Sequence, residues 1–540
     1  MMKFDLTLRV LLERANQLFP KKEIITRDYS GTFRYTYADF YKRVNRLANT
    51  LKELGVKPGD RVGTLAWNHH RHLELYFGVP CSGAVLHTLN LRLSPDQLAY
   101  VINHGEDKVI FVDKDLVPLA EAVKEKLTTV KHFVVMSDTE ELPASHLSPA
   151  ASYEALLSKA SDQYDFPDID EWSTAAMCYT TATTGNPKGV EYTHRGLVLH
   201  SYTAALPDAL NISESDRIMP FVPMFHANAW GLPFVCTFLG TTQVFPGPRP
   251  TPEDICAVID EHKVTLAAGV PTIWMGTLNV WETGRYDHTS LRALICGGSA
   301  VPRALHKAYL DKLGLPIIHA YGMTETTPVV LVCNPKSYMQ DMNEDDKLDL
   351  ASKQGILVPG LEMKVVNEDG NEVPWDGRSM GELLVRGPWI AKEYYKEPER
   401  SKPAFADGWL HTGDIVNVDP EGYCFIVDRA KDLIKSGGEW ISSIDLENTI
   451  MAHPAVLEAA VIAMPHDKWV ERPLACVVLK EDHRGSTTAD EIIHFLTDQV
   501  PKIWLPDRVE FIEEIPKTSV GKFDKKELRQ IYADVAAVEA

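Results

Sequence analysis

The chain has 540 residues, 45% of them apolar and 24% charged, with a formal net charge of −20. That is too long for one domain of about 100–200 residues, and the composition is that of an ordinary globular protein. The acidic balance excludes a nucleic-acid binder and a polybasic membrane anchor. The eight cysteines never fall within five residues of one another, which removes zinc spacing and a C-x-x-C redox pair. Most lie in apolar runs such as Leu294 to Cys296 and read as reduced core residues of a cytoplasmic protein. Residues Met1 to Leu6 lack the apolar core of a signal peptide, and no run approaches the ~20 apolar residues of a membrane span. The end, Ala536 to Ala540, carries neither a prenylation box nor a peroxisomal tripeptide.

In chain order, Thr36 with Asp39 three residues on predicts a capped helix, with Phe40, Val44, Leu47, Leu51 and Leu54 on one face and Gly55 closing it. Arg61 to Trp67 reads as a strand, and Leu73 to Phe77 as helical. A strand follows from Ala84 to Thr88, a helix from Gln97 to Asn103, and a buried strand from Lys108 to Asp113. A helix over Leu116 to Leu127 leads to a strand at His132 to Met136. Strands alternating with helices indicate parallel sheets covered by helices. His69, His70 and His72 flank Arg71 with no other ligand nearby, so a packed or solvated role is preferred to a metal. The acidic, Ser- and Pro-rich segment 138–172 reads as a surface excursion.

A strand at Ala175 to Tyr179 then meets a turn with four threonines, two glycines and one lysine before Val190. So many hydroxyls and free N–H groups suit phosphate oxygens. The turn does not fit the phosphate loop of NTPases, because Gly185 is followed by Asn186, Pro187 and Lys188. A polar hairpin turn is the plainer alternative. Helix Leu197 to Ala205 and strand Arg217 to Val222 lead to a polar-aromatic stretch, Pro223 to Pro233. Further αβ units include strands at Val264 to Pro271 and Leu291 to Cys296. The strand ending at Cys296 runs into Gly297, Gly298 and Ser299, with Pro302 opening a helix. The next strand, Pro316 to Ala320, runs into Tyr321, Gly322, Met323, Thr324 and Glu325. Two such strand ends line one crevice. From about residue 355 the character turns to β, with a hairpin expected at Gly360 to Gly370 and strands at Gly381 to Arg386 and Asp419 to Val427. Trp409 to Asp414 lies between them. A small α+β tail follows, with helices at 443–452 and 489–498, strands at 458–463 and 474–479, and a last basic motif at Lys517 to Phe523.

Singly these motifs are modest. Glu325 reads as a surface carboxylate, Asp414 as a turn residue and Lys522 as a loop lysine, while His226 and Trp230 read as core. Order and completeness change that. The stretch from Thr180 to Gly189 closely resembles the phosphate loop of the acyl-adenylate-forming superfamily, whose usual form is [ST]-[ST]-G-T-T-G-x-P-K-G. Ala182 stands where that family has Gly. The resemblance runs from Thr36 to Lys522. In stretches such as Phe225 to Trp230 and Lys435 to Ser443 it is closest to the bacterial medium- and long-chain fatty acyl-CoA synthetases.

The resemblance implies an α/β fold. A large N-terminal domain (1–430) would bind acid and ATP with parallel-type sheets, helices and a β-rich subdomain. A small mobile α+β domain (431–540) would follow. It further implies that Thr180, Thr181, Ala182, Thr183, Thr184, Gly185 and Lys188 cradle the outer phosphates of ATP, and that Thr184 and Glu325 hold Mg²⁺. Gly297, Gly298, Ser299, His319, Ala320, Tyr321 and Gly322 would form the adenine slot, Tyr321 stacking, with Met323 and Thr324 continuing the nucleotide site. Asp414 would take the ribose hydroxyls beside Arg429. Lys522 would reach the α-phosphate and carboxylate, and Lys431 would be the hinge. Lys435 and Trp440 would face nucleotide or coenzyme A. Trp230 would gate an acyl tunnel with His226 and Ala227 at its mouth. Lys522, Glu325 and Lys188 would be the catalytic set.

The implied reaction is ATP-dependent, AMP-forming ligation of a medium- to long-chain fatty acid to coenzyme A, in a cytoplasmic homodimer. The rival within the fold is a ligase for a short or sulfur-containing acid such as 3-(methylthio)propionate. A carrier-protein loader and a luciferase-like oxygenase rank behind. From another class, the Ala182 departure keeps open a non-catalytic nucleotide-binding protein.

Overall fold

The computed structural model describes residues 2–180, 186–436, 439–466, 468–497, 499–518 and 523–533. Two large sheets form the first two-thirds of the fold. In one, the strands Ala150–Ser152, His132–Met136, Asp107–Asp113, Arg61–Leu65, Val85–Thr88, Thr174–Tyr179 and Gly189–Thr193 lie in that order, parallel except for the last pair. The other has nine strands. Its parallel centre runs through Glu23–Asp28, Thr242–Phe245, Arg217–Pro220, Leu266–Gly269, Ala293–Gly297 and Ile317–Gly322. Antiparallel strands close both edges: Gly31–Thr36 on one side, Val329–Val332 with Ile356–Leu357 on the other.

Helix His70–Cys81 joins the two sheets. It is buried at every residue, as a helix packed on all sides must be. The His70 N–H donates to Thr26 Oγ1 on one sheet at 3.0 Å, and His72 Nε2 lies 3.0 Å from Thr64 Oγ1 on the other. The histidine run is therefore packed. His69 Nε2 sits 2.8 Å from Asp113, and His69 Nδ1 caps the helix by accepting the His72 N–H. Arg71 forks to Asp28 at 2.7 Å and to Glu154 at 3.0 Å. These pairings satisfy charges that would otherwise be costly to bury. Among the described residues no three His, Cys, Asp or Glu side chains form a metal-holding group.

The capped helix appears as Tyr37–Glu53, with the Thr36 and Asp39 box formed in both directions, a device worth about 1 kcal/mol. Segment 138–172 is less detached than its composition indicates. Ala150–Ser152 is an edge strand, and helix Tyr153–Lys159 buries Tyr153 and Leu157 against the core. All eight cysteines are buried and unpaired. Among the described residues no helix is long and apolar enough to cross a membrane.

A four-stranded antiparallel sheet follows: Glu362–Val366, Gly381–Arg386, Leu410–Val418 and Cys424–Arg429. The hairpin expected at 360–370 turns at 367–371, but only one bridge, Val366 to Glu372, joins its arms. The full partner of Glu362–Val366 is Gly381–Arg386, because residues 373–380 loop out before pairing resumes. The last sheet has five strands, built on the long pair Val456–His466 and Val470–Leu479 and covered by helices Ser443–Met451 and Ala489–Leu496.

Candidate active site

The Thr/Gly turn connects two antiparallel strands, with Tyr179 opposite Gly189. The flanking strands pair as a hairpin would have them, as either reading of the turn allows. At its neck the Thr180 N–H donates to Lys188 O at 2.9 Å, and the Lys188 N–H donates to Thr180 Oγ1 at 3.3 Å. Thr181, Ala182, Thr183, Thr184 and Gly185 lie outside the described residues, as does Lys522.

Lys188 extends from this neck to a point 3.8 Å from the centre of the Tyr394 ring, a cation–π contact. Burial holds the ammonium below the ordinary lysine range, with Glu325 pulling the other way. The Tyr394 hydroxyl donates to Glu325 Oε1 at 2.8 Å. Glu325 is buried on the short turn Thr324–Thr326, just beyond strand Ile317–Gly322. Its carbonyl accepts from the Ala391 N–H at 2.8 Å, and the Thr324 carbonyl accepts from the Tyr192 hydroxyl at 2.7 Å. Sequence reading missed Tyr394. The signal was a pair of tyrosines, Tyr394 and Tyr395, in an otherwise charged stretch.

The two Gly-bearing strand ends are neighbours, with Gly297 opposite Ala320. A Cβ on Gly297 would stand 2.4 Å from Ala320 O, and one on Gly322 would stand 2.0 Å from Pro328 O, so neither place admits a side chain. Gly298 has φ +82°, the left-handed region open to glycine. The Tyr321 hydroxyl donates to Asp414 Oδ2 at 2.5 Å, and Arg429 Nε lies 3.3 Å from Asp414 Oδ1. Asp414 and Arg429 face each other in the four-stranded sheet. Burial and the Asp414 charge raise the Tyr321 pKa far above the tyrosine value. His319 is buried beside His306, ring centres 6.4 Å apart, and burial pushes its imidazole down to about 4. The ring is neutral here and lies by the backbone of Ser299, at the neighbouring strand end.

The polar-aromatic stretch holds an unexpected backbone. Ala227, Asn228, Ala229 and Trp230 have φ of 42°, 50°, 50° and 58°, and Gly231 follows at 74°. Such a left-handed turn costs roughly 1–2 kcal/mol for each residue bearing a Cβ, least for Asn. It is pinned from several sides. Asn228 Oδ1 accepts from Cys178 Sγ at 2.8 Å, on the strand that leads into the phosphate-type turn. Upstream, the Met224 N–H donates to Asn68 Oδ1 at 2.8 Å. Trp230 is thereby turned onto Gly297, where its ring edge would lie 3.2 Å from an added Cβ. His226 precedes the turn and Ala227 is buried within it.

Lys435 and Trp440 are cross-strand partners in a small hairpin, the ammonium 4.2 Å from the indole centre. Lys435 Nζ also lies 3.8 Å from Glu368 Oε1, on the turn of the four-stranded sheet. Lys431 sits just past the end of strand Cys424–Arg429, and burial lowers its pKa.

A set of polar groups thus gathers near the strand ends: a lysine on a strand neck, a buried carboxylate, a tyrosine with its aspartate, and glycines with no room for a side chain. The AMP-binding enzyme family matches residues 12–395, and the C-terminal domain of AMP-binding enzymes matches residues 445–522. The chain belongs to this family. It is 48% identical to a long-chain-fatty-acid–CoA ligase of Thermus thermophilus, over 98% of this chain and 96% of that one. It is 40% identical to a medium-chain-fatty-acid–CoA ligase of Ectopseudomonas oleovorans (99% and 97% covered). It is also 40% identical to a 3-methylmercaptopropionyl-CoA ligase of Ruegeria pomeroyi (99% of each). The fold matches an anthranilate CoA ligase solved with anthranoyl-AMP, at a TM-score of 0.90, 27% identity and 99% coverage of both chains.

Proposed function

We propose that the protein ligates a medium- to long-chain fatty acid to coenzyme A at the expense of ATP, through an acyl-AMP. The observation that carries this reading is the span from Tyr321 to Glu325. Tyr321 binds Asp414, and four residues later Glu325 binds the tyrosine on which Lys188 rests. One strand end thus joins a ribose-type acceptor to a phosphate-type cation.

In the first half-reaction a carboxylate oxygen attacks the α-phosphate and pyrophosphate leaves. Two anions must approach, so the residues' task is to supply positive charge where negative charge gathers. Lys188 leaves the Tyr394 ring for the outer phosphates, held there with Thr180, Thr181, Thr183, Thr184 and Gly185. Lys522 serves the α-phosphate and the acid. Asp414 accepts the ribose hydroxyls, Tyr321 stacks on the base, and Arg429 steadies Asp414. In the second half-reaction the thiolate of coenzyme A displaces AMP. Lys435 and Trp440 face it after the small domain, from residue 431 on, has turned about Lys431. Water must be kept out between the steps.

The site suits a magnesium ion. Glu325 offers one buried carboxylate and Thr184 a hydroxyl, and among the described residues no three His, Cys, Asp or Glu side chains gather around them. Such a sparse, all-oxygen donor set fits an ion that keeps its remaining positions for phosphate and water. When bound, the ion would neutralise charge on the departing pyrophosphate. The buried free cysteines support a cytoplasmic setting, and a homodimer completes the reading, to be checked by light scattering.

The test is thioester formation over straight-chain acids from acetate to palmitate, with 3-(methylthio)propionate included. A maximum among medium or long chains is expected. A maximum at a short or thioether acid replaces the substrate assignment. No acid-dependent pyrophosphate release would mark a non-catalytic nucleotide binder.

Two variants probe parts of this reading. Trp230→Ala is expected to disturb acid binding far more than ATP binding, measured as separate KM values. A change confined to ATP would move Trp230 to the nucleotide side, which its contact with Gly297 makes a pointed comparison. Ala182→Gly is expected to change adenylation by less than a few-fold, because Gly185 and Gly189 remain to supply the turn. A left-handed φ at Ala182 would cost ~1 kcal/mol, somewhat under a factor of ten in rate. A gain well beyond tenfold would show an impaired loop.

A further inference from the structure

The junction between the four-stranded and five-stranded sheets is held by a buried polar chain that the reaction described above does not use. Asp428 lies on the last strand of the four-stranded sheet, opposite Ile415. It is 1% exposed. Its Oδ2 accepts the Ser443 N–H at 2.8 Å and the Ser443 hydroxyl at 2.5 Å, at the first residue of helix Ser443–Met451. The neighbouring Ser442 hydroxyl donates to the Val427 carbonyl. Behind Ser443 stands Lys525, whose ammonium bonds the Ser443 hydroxyl and lies 2.6 Å from Glu447 Oε1. Burial works against that ammonium, but Glu447, Asp428 and Asp432 outweigh it and hold the lysine charged. Arg529, on the same helix as Lys525, pairs with Asp432.

A carboxylate at a helix N-terminus gains from both the N–H groups and the helix dipole. Hydrogen bonds to a charged group in a dry site are also among the stronger ones. The chain of contacts passes from Asp428, before Lys431, to Ser443 and Lys525, well after it. Helix Lys525–Ile531, the last among the described residues, begins three positions beyond Lys522.

We infer that Asp428 and Ser443 form an orientation latch: a contact that holds the small domain in the arrangement of this structure and must be remade when the domain turns between the two half-reactions. The inference rests on the reading of Lys431 as the hinge. Asp428 and Ser443 are positioning residues, because they touch neither substrate nor the reacting atoms. A turn at Lys431 changes the bearing of helix Ser443–Met451 on strand Cys424–Arg429. The latch therefore favours one arrangement over the other by the strength of its bonds.

The test uses a cysteine pair placed by Glu368→Cys and Lys435→Cys, whose native side chains meet across the same junction at 3.8 Å. All native cysteines are buried, so a short bifunctional thiol reagent addresses the new pair. In Asp428→Ala, and independently in Ser443→Ala, the crosslinking rate is expected to fall about tenfold. The ratio of the two half-reaction rates, measured with Glu368 and Lys435 restored, is expected to shift in the same variants. Asp428→Asn keeps an acceptor oxygen and is expected to recover most of both. If ATP with acid, or coenzyme A, alters crosslinking in the parent pair while the latch variants match it, the latch is overturned and the hinge stands. If no ligand alters crosslinking in any background, the mobile-domain reading falls and the latch with it.

Discussion

Lys522→Ala is expected to slow acyl-adenylate formation by orders of magnitude while leaving the conversion of supplied acyl-AMP to thioester near normal. The argument is electrostatic. Attack on the α-phosphate brings a carboxylate onto an already anionic centre, and a cation bridging both is worth most when the bond is half formed. In a site from which water is excluded, loss of one such group costs several kcal/mol, with each ~1.4 kcal/mol a factor of ten. In the proposed second step AMP is the leaving group, and the thiolate would attack with the small domain turned away, so Lys522 would no longer bear on the reacting bond. Pyrophosphate release and thioester formation, assayed separately, decide the matter. Equal losses in both would remove Lys522 from the role proposed for it.

Lys431→Pro is expected to abolish thioester formation and spare adenylation. The residue stands where strand Cys424–Arg429 has ended and strand Ile434–Ser436 has not yet begun. Around it the backbone is already tightly held: the Ala430 N–H donates to Gly413 O at 3.0 Å, and the Asp432 and Leu433 N–H groups donate to Arg429 O at 2.8 and 2.9 Å. A domain turn here would therefore be expected to use the torsions of one or two residues. Proline fixes φ near −65° and restricts the residue before it. Both half-reactions surviving in the variant would mean that the boundary lies elsewhere.

Much of the fold was legible because local signals and burial agreed. The helix Tyr37–Glu53 announces itself by Thr36, Asp39 and a regular apolar face, and all three features are satisfied in place. The strand ends at Gly297 and Gly322 were legible from glycines that close two successive strands, and in place neither has room for a Cβ. The left-handed turn at 227–230 was not. Ala, Ala and Trp give no hint of positive φ, and the conformation is imposed by tertiary bonds from Cys178 and Asn68. Tyr394 was missed because its part in the site depends on Lys188 and Glu325, which are distant in sequence. Composition misjudged segment 138–172, since two buried side chains suffice to anchor Tyr153–Lys159 among polar neighbours.

The strand Gly189–Thr193 ends the seven-stranded sheet, and its outer side would offer unpaired N–H and C=O groups to any passing chain. The segment around Tyr394 covers part of that side: Val190 bridges Tyr394, and the Tyr395 N–H donates to Gly189 O at 2.9 Å. Tyr394, which presents its ring to Lys188, therefore also lies in the strip that covers this sheet edge against strand addition by another copy. If Lys188 serves the reaction as proposed, solubility and turnover would share this strip, and a change at Tyr394 is expected to read as turbidity where the covering strip lifts and as lost turnover where it stays down.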